Sequence, residues 1–219
     1  MIVAIDGPAG AGKSTIARRV AQELGYQLID TGAIYRAVAY RALEDGEDLE
    51  DPEDVSMLAA SLDFDFRREG GDNILYVDGE PMREQIRTPH VTRASSQISG
   101  FSALRKALLD VQRELGRSEP SVLEGRDIGT VVFPDAEVKI FLTASKEVRA
   151  HRRLEQMQEQ GIDADLDEVY DEIVARDKRD TERDVAPLKK ADDAVEVDTT
   201  GMEIDEVVER ILEVVEDKR

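Results

Sequence analysis

We expect the 219 residues of this chain to form an α/β domain in which helices cover a five-stranded parallel sheet. Short apolar runs, each long enough for one buried strand, recur along the sequence with helical segments between most of them. These runs are Ile2–Ile5, Tyr26–Ile29, Ser121–Leu123, Val138–Leu142 and Ala194–Val197. The alternation is interrupted once, at residues 62–88, which predicts a small insertion. The length fits residues 1–219 as one domain.

The first apolar run ends at a glycine-rich loop that leads into a predicted helix. Residues 7–15 match the spacing G-x-x-x-x-G-K-[ST], whose glycines let backbone N–H groups surround an anion at a helix N-terminus. We expect this phosphate loop to bind ATP through Gly7, Pro8, Ala9, Gly10, Ala11, Gly12, Lys13, Ser14 and Thr15. Lys13 is expected to reach the β- and γ-phosphates, and Ser14 to hold Mg²⁺.

The interruption at residues 62–88 is predicted to contain antiparallel strands. Residues 69–73 (Glu-Gly-Gly-Asp-Asn) form a turn signal between two runs of alternating polarity, as in a hairpin. Thr88 and Pro89 have the residue types that begin a helix. A second helix, from about Ser102 to Leu115, is expected to return the chain to the sheet.

Residues 146–185 are charged throughout and are predicted to form two helices joined by a short exposed loop. We expect a mobile lid there. Arginines gather on one face of each helix. They are Arg149, Arg152 and Arg153 on the first helix and Arg176, Arg179 and Arg183 on the second. Because these arginines cluster in a chain whose net charge is negative, we expect this region to bind an anionic ligand.

The C-terminal segment, residues 203–219, is acidic but keeps apolar side chains at helical spacing. These side chains are Ile204, Val207, Val208, Ile211 and Leu212. The segment is therefore predicted to be an amphipathic helix with one buried face.

The composition is that of an acidic globular protein. Asp and Glu number 49 against 29 Lys and Arg, which gives a formal net charge of −20. A nucleic-acid binder needs a basic surface that displaces counterions, so we expect no nucleic-acid partner. Arginine outnumbers lysine, and an acidic surface of this kind resembles proteins from high-salt cytoplasm. We therefore expect a halophilic protein.

No apolar stretch approaches the length needed to span a membrane, and the N-terminus has a strand pattern where a secretory signal would have a basic segment. We expect a cytoplasmic monomer with no membrane partner. The sequence has no cysteine and two histidines, His90 and His151, so any metal must have oxygen ligands. Both histidines are expected to be surface or packing residues.

Five segments of the sequence resemble bacterial-type cytidylate kinases. They are GPAGAGKST (7–15), DTGAIYRAVAY (30–40), SSQISGFSALRKALL (95–109), EGRDIGTVVFPDA (124–136) and RDKRDTERDVAPL (176–188). The resemblance runs from the first strand to the last helix, with one departure at Thr31, where a serine is common. It implies a fold of the P-loop kinase type, with residues 62–88 as an inserted region that binds the nucleoside monophosphate and residues 146–185 as the lid.

The activity implied by this resemblance is ATP- and Mg²⁺-dependent transfer of the γ-phosphoryl group to CMP and dCMP. Lys13, Arg126 and Arg183 are the expected catalytic residues, and Arg153 is expected to join the phosphate loop in binding ATP. The implied substrate-binding residues are Thr31, Arg36, Ser96, Arg105, Arg126, Asp127, Arg176, Asp180 and Arg183.

The resemblance also implies what these side chains hold. Arg36 and Arg126 contact the acceptor phosphate, and Arg183 reaches the transferred phosphoryl group. Arg176 and Asp180 hold the sugar. No general base is required, because the acceptor phosphate is already an anion at neutral pH and catalysis needs alignment and charge neutralisation.

Ser96, Arg105 and Asp127 are implied to read the cytosine base. Cytosine presents an N4 amino donor beside its N3 and O2 acceptors, which a carboxylate and a guanidinium complement, whereas uracil presents O4 to the carboxylate. Asp127 and an arginine can equally form a structural ion pair, and Asp127 can also bind Mg²⁺ or water near the phosphate loop. The residues by themselves leave these three interpretations open.

Other functions are compatible with a phosphate loop. A GTPase switch needs an N-K-x-D segment, which the sequence lacks. Another small P-loop kinase, acting on shikimate, gluconate or a different nucleoside monophosphate, is the enzymatic alternative, and the cytosine-type segments argue against it. An ATP-dependent interaction module with a basic partner is the alternative from a different class. CMP would not stimulate ATP turnover by such a module.

Overall fold

The computed structural model describes all residues from 1 to 219. In chain order its elements are β1 (Ile2–Asp6), α1 (Lys13–Leu24), β2 (Gln27–Asp30), α2 (Thr31–Asp45), α3 (Pro52–Ser61), β3 (Phe64–Glu69), β4 (Asp72–Val77), β5 (Glu80–Met82), a 3₁₀ turn (Glu84–Arg87), α4 (Pro89–Ile98), α5 (Ser102–Arg117), β6 (Ser121–Gly125), a π-helical turn (Ile128–Val132), β7 (Val138–Thr143), α6 (Lys146–Glu159), α7 (Leu166–Glu182), β8 (Val195–Asp198) and α8 (Ile204–Glu216).

The main sheet has five parallel strands in the order β2-β6-β1-β7-β8, which confirms the predicted fold class. Each predicted apolar run forms one of these strands. β1 is central, and its last residue, Asp6, lies opposite Gly125 of β6 and Phe141 of β7. The carboxyl ends of these strands therefore meet at one edge, where ligands bind in open α/β sheets.

A second, antiparallel sheet forms in the insertion, with the order β3-β4-β5. The sequence predicts a hairpin here, and the structure adds a third strand. The reason is the turn Asp78-Gly79, in which both residues have positive φ, at 52° and 80°, as the tightest hairpin turns require. The Asn73 side-chain amide donates to the Leu28 carbonyl of β2 at 2.7 Å, which attaches this sheet to the main one.

Hydrophobic side chains bury both faces of the main sheet. The larger cluster joins β2 and β6 to helices α2–α5 and to the small sheet. The second cluster joins β1, β7 and β8 to α1 and α8. Helices α6 and α7 instead pack on each other through a small cluster of their own: Ala150, Met157, Val169 and Ile173. These two helices, which span most of the predicted lid, thus have an apolar core separate from that of the sheet.

The predicted helix boundaries hold with small shifts. The Thr88 hydroxyl caps α4 by accepting from the Val91 N–H at 3.3 Å, and α4 begins at Pro89 as expected. The C-terminal helix α8 buries most of its apolar stripe, but Ile204 is 47% exposed, because it lies at the helix start, where it lines a large cavity. None of the helices has the length and apolar character that a bilayer crossing needs.

Candidate active site

A cavity of about 860 Å³ opens at the carboxyl ends of the central strands. It is lined by the phosphate loop, the starts of α2 and α5, helix α4, the end of β6 with the residues after it, and helices α6 and α7. Its wall contains eleven Lys and Arg side chains and seven Asp and Glu side chains, whereas the whole chain carries a net charge of −20. Positive charge is therefore concentrated in the cavity, as an anionic ligand requires.

The phosphate loop runs so close to its neighbours that two glycines are required. A Cβ on Gly7 would lie 2.1 Å from the Leu142 carbonyl oxygen of β7. A Cβ on Gly10 would lie 2.9 Å from the Arg149 Cβ. Residues 9–15 of the loop line the cavity, while the first two residues lie behind it. The loop therefore presents its later N–H groups, at the start of α1, to a bound anion.

Lys13, the first residue of α1, is buried and turned back into the loop. Its Nζ donates to the Pro8 carbonyl at 2.8 Å. Burial, reinforced by the charge of Arg126, lowers the pKa of Lys13 to about 7. Bound phosphates would act in the opposite direction, because negative charge favours the ammonium form. The lysine is thus placed where an anion is needed to keep it fully charged.

Ser14 pairs with a carboxylate that the sequence analysis did not single out. Its hydroxyl donates to Glu124 Oε2 at 2.9 Å, while the buried Glu124 Oε1 has no hydrogen-bond partner. Burial, followed by the charge of Asp30, raises the pKa of Glu124 to about 7. A hydroxyl beside a carboxylate with one free oxygen is the hard-oxygen donor set that Mg²⁺ prefers, so these residues fit the metal.

Two carboxylates hold the arginines expected at the acceptor phosphate. Arg36 donates to Asp30 at 2.7 Å, and Arg126 donates to Asp180 at 2.8 Å. Burial by itself would raise the pKa of Asp30, but the charge and hydrogen bond of Arg36 outweigh it and hold that pKa below its usual value. The Nε atoms of Arg36 and Arg176 are buried without partners. Both arginines line the same cavity.

Arg176 lies within this group of cations. Burial, reinforced by the charge of Arg126, lowers its pKa to about 10, which leaves it protonated at neutral pH. Because desolvated cations that repel one another are stabilised by an anion, this cluster is arranged for a phosphate group.

The Asp127 carboxylate and Arg105 form a buried ion pair in the cavity wall. Arg105 Nη2 lies 2.6 Å from Asp127 Oδ1, and both side chains are 8% exposed. Arg105 also donates to the Ser99 carbonyl at 3.0 Å, and its guanidinium lies over the Tyr35 ring at 5.3 Å. Arg183 approaches the same Asp127 oxygen at 3.7 Å. Asp127 therefore forms a buried ion pair with Arg105, and both residues also line the cavity.

The arginine face predicted on α6 divides in the structure. Arg149 is buried outside the cavity lining and donates to the Ala9 carbonyl at 3.0 Å and to Asp177 at 2.7 Å. Arg152 instead binds the Thr199 hydroxyl at 2.9 Å and lines the cavity with Arg153. Arg149 thus ties the phosphate loop to α7, because its position on the helix points toward the loop.

The arginines predicted on the second of these helices stay together, since Arg176, Arg179 and Arg183 all line the cavity. Arg179 Nη2 donates to the Ser96 hydroxyl at 3.3 Å across the opening between α7 and α4.

The expected substrate residue Thr31 is buried, and its hydroxyl donates to the Glu124 carbonyl at 2.7 Å. His90 and His151 are exposed and lie outside the lining.

A family model described as cytidylate kinase matches residues 3–217. The chain belongs to the cytidylate kinase family. It is 47% identical to the cytidylate kinase of Lactobacillus johnsonii over 100% of this chain and 95% of that protein. It is 45% identical to the cytidylate kinase of Clostridioides difficile over 97% of this chain and 96% of that protein. Membership of this family makes the protein a phosphotransferase.

The fold alone is shared with more distant proteins. A crystal structure of an uncharacterized protein from Eubacterium ventriosum superimposes with a TM-score of 0.53 at 12% identity, covering 99% of this chain and 98% of that chain. At this identity the likeness extends to the arrangement of strands and helices and not to the site.

Several residues that line the cavity were not predicted from the sequence as site residues. They are Asp30, Tyr35, Arg87, Arg93, Glu124, Met202 and Ile204. Glu124 carried a usable signal, since a charged residue near the end of a buried strand beside β1 is unusual in such a strand. Met202 and Ile204 carried none, because apolar residues just before and at a helix start are ordinary in a sequence.

Proposed function

We propose that this protein transfers the γ-phosphoryl group of ATP to CMP and dCMP, giving CDP and dCDP. The observation that carries the proposal is the Arg105–Asp127 pair, which lies in the wall of the cavity that also holds the phosphate loop. A carboxylate can accept from cytosine N4 while a neighbouring guanidinium donates to N3 and O2. Uracil would place its O4 against the carboxylate, so this wall favours cytosine.

The donor nucleotide occupies the side of the cavity formed by the phosphate loop and α6. Backbone N–H groups of residues 9–15 surround its phosphates, Lys13 leaves the Pro8 carbonyl for them, and Arg153 approaches from the lid. Met202 and the exposed Ile204 line the same side and offer an apolar surface for the adenine base.

Ser14, with Glu124 beside it, would hold the Mg²⁺ that enters with ATP. The ion would neutralise charge on the phosphate oxygens and orient them. Glu124 holds the Ser14 hydroxyl through its Oε2 and has its Oε1 free. Mg²⁺ usually takes one or two protein oxygens and completes its shell with phosphates and water, which suits this pair. The sequence left open whether Asp127 binds Mg²⁺. Because Glu124, and not Asp127, pairs with Ser14, we assign this role to Glu124.

The acceptor phosphate lies among Arg36, Arg126 and Arg176. To bind it, Arg36 and Arg126 exchange their carboxylate partners for phosphate oxygens. The Nε atoms of Arg36 and Arg176, which have no partner without the ligand, gain hydrogen bonds. Asp180, once released, is placed to accept from a sugar hydroxyl. Arg183, beside Asp127, then neutralises charge on the transferred group.

Ser96 supports the base site from α4, where its hydroxyl faces the cavity. Thr31 lines the cavity, as expected of a substrate-binding residue, and its hydroxyl donates to the Glu124 carbonyl. We assign Thr31 to holding the start of α2, the helix that carries Arg36, beside β6.

We keep residues 62–88 as the inserted nucleoside-monophosphate region and 146–185 as the lid. Of the insertion only Arg87 lines the cavity, and α4 supplies most of the lining on this side: Thr92, Arg93, Ser95 and Ser96. The small sheet thus supports the acceptor side by carrying α4 and does not touch the ligand itself.

We also propose a cytoplasmic monomer without nucleic-acid or membrane partners. A single 24.4 kDa species by light scattering is the test of the monomeric state.

An acceptor panel tests the proposed function. ADP release is measured with ATP and Mg²⁺ in the presence of CMP, dCMP, UMP, AMP, shikimate or gluconate. We expect turnover with CMP and dCMP far above the others. Preference for another acceptor would support the alternative small kinase, and ATP turnover indifferent to every acceptor would support an interaction module. Either result would overturn the proposal.

Closure of the lid gives a separate prediction. The lid helices have their own apolar core and reach the rest of the molecule mainly through ion pairs and hydrogen bonds such as Arg126–Asp180 and Arg179–Ser96. Binding of both substrates should order residues 146–185 and slow their amide exchange by at least several fold. Exchange is measured with and without an ATP–CMP bisubstrate mimic, with residues 108–117 of α5 as the internal control. Unchanged exchange in the lid region would contradict closure.

The acidic surface predicts a response to salt. The cavity wall is positive, so the negative charge lies outside it, where it repels itself. Raising KCl from about 0.1 M to 1 M shortens the Debye length from about 10 Å to 3 Å and should relieve this repulsion. We expect the melting temperature and the activity to rise over this range, with sucrose as the uncharged control. Maximal stability at low salt would contradict a halophilic protein.

A further inference from the structure

Asp6, the last residue of β1, is a buried carboxylate with no part in the phosphate chemistry described above. Only 5% of its surface is exposed. Its Oδ1 accepts from the Ile128 N–H and its Oδ2 from the Gly129 N–H, both at 2.8 Å. Burial raises its pKa to about 6, which leaves it ionised at neutral pH. Both oxygens are therefore engaged by two consecutive backbone groups from a distant part of the chain.

Those two N–H groups begin the π-helical turn Ile128–Val132, directly after Asp127. The first N–H groups of a helical turn have no partner within the turn, so they need an external acceptor. No side chain of the turn caps it. Asp6 supplies the acceptor from another strand. We call residues 126–132 the acceptor turn, since Arg126 and Asp127 at its start face the cavity.

The acceptor turn is also confined from the opposite side. A Cβ on Gly129 would lie 3.2 Å from the Lys139 side chain of β7 and 3.5 Å from Asp6 Oδ2. Lys139 is itself held by Asp193 at 2.8 Å. The turn is thus enclosed between two neighbouring strands, and a change at Asp6 moves it relative to Arg105, whose contact with Asp127 is only 2.6 Å long.

Asp6 also precedes Gly7, the first residue of the phosphate loop. One residue is therefore continuous with the loop that binds the donor and hydrogen-bonded to the turn that binds the acceptor. Functional groups need support that holds them to about half an ångström, and displacements of about 1 Å are costly in rate. The backbone of β1 and the phosphate loop holds Asp6 in place, and the hydrogen bonds of its carboxylate hold the acceptor turn.

We propose that Asp6 is a positioning residue for the acceptor base: by capping the acceptor turn it places the Asp127 carboxylate where it discriminates cytosine from uracil. This inference rests on the proposed function, because it requires CMP as the acceptor. It assigns Asp6 no contact with either nucleotide.

Asp6→Asn tests the inference. The amide has nearly the same shape, but its NH₂ group would face one of the two N–H donors, so one hydrogen bond is lost. We expect the KM for CMP to rise and the ratio of kcat/KM for CMP over UMP to fall, each about tenfold, the effect of one buried hydrogen bond. The KM for ATP should stay within about twofold, because the phosphate loop keeps its contacts. An unchanged CMP-to-UMP ratio would overturn the inference.

Ser121→Ala is the matched control. Ser121 is buried at the opposite end of β6, where its hydroxyl donates to the Gly116 carbonyl at 2.8 Å. Its loss should lower the melting temperature without changing the CMP-to-UMP ratio. A fall of that ratio in Ser121→Ala equal to that in Asp6→Asn would show a general effect of destabilisation and would overturn the positioning role.

Gly129→Ala provides a second variant in case Asp6→Asn does not fold. Its new Cβ would lie 3.2 Å from the Lys139 side chain and 3.5 Å from Asp6 Oδ2, so we expect it to displace the acceptor turn while the Asp6 carboxylate itself is retained. The same fall in the CMP-to-UMP ratio is expected, and an unchanged ratio counts against the inference. Wild-type protein that fails to use CMP would refute the proposed function itself, whereas wild-type selectivity retained in these variants would refute only the role of Asp6.

Discussion

Lys13→Met should lower kcat by about 100- to 1,000-fold while the protein stays folded. The variant keeps the buried stem of the side chain but removes the charge that we propose meets the β- and γ-phosphates, and loss of one such preorganised group costs about this much. Steady-state kinetics with saturating ATP and CMP measure the effect. Lys106→Met, which removes an exposed lysine outside the cavity, is the control.

The same variant should keep or raise its melting temperature. Lys13 is buried, and its Nζ donates to the Pro8 carbonyl. Its pKa of about 7 lies below that of a free lysine, so without nucleotide the folded state disfavours the ammonium form, and methionine removes that cost. Near-wild-type kcat would overturn the assigned role of the phosphate loop, and a large drop in stability would contradict this account of Lys13.

Arg105→Met should lower kcat/KM for CMP by about ten- to a hundredfold and reduce discrimination against UMP. A bidentate guanidinium contact with a base is worth about 1–3 kcal/mol, and selectivity falls because the groups that uracil leaves unpaired are no longer present. The KM for ATP should change little, since the site that we propose for ATP is on the opposite side of the cavity. Kinetics with both acceptors measure the effect.

The stability of this variant is a second measurement. Removing Arg105 leaves the buried Asp127 with Arg183 at 3.7 Å as its remaining cation. We expect a loss of about 3 kcal/mol in the free energy of unfolding, at the lower end of the cost of an unpaired buried charge. Arg41→Met is the control, because Arg41 pairs with Glu80 at 2.8 Å outside the cavity. A constant CMP-to-UMP ratio in Arg105→Met would remove Arg105 from the base site.

Local residue patterns were sufficient for much of this molecule. The apolar runs predicted all five strands of the main sheet, since strands buried on both faces need continuous hydrophobic residues. The spacing of the phosphate loop predicted the strand, turn and helix around Lys13. Thr88 and Pro89 predicted the start of α4, because capping depends on neighbouring residues. The arginine-rich segments predicted an anionic ligand, and five of their six arginines line one cavity.

Pairings between distant residues depended on the tertiary structure. Ser14 meets Glu124, and Asp6 meets Gly129, because β1 and β6 run in parallel register and end together. The sequence by itself determined which residue types stood at the ends of strands and on the faces of helices. With 49 acidic residues in the chain, it could not determine which carboxylate each arginine would meet. That choice was made by the packing of helices on the sheet, which buried some charges and had to pair them there.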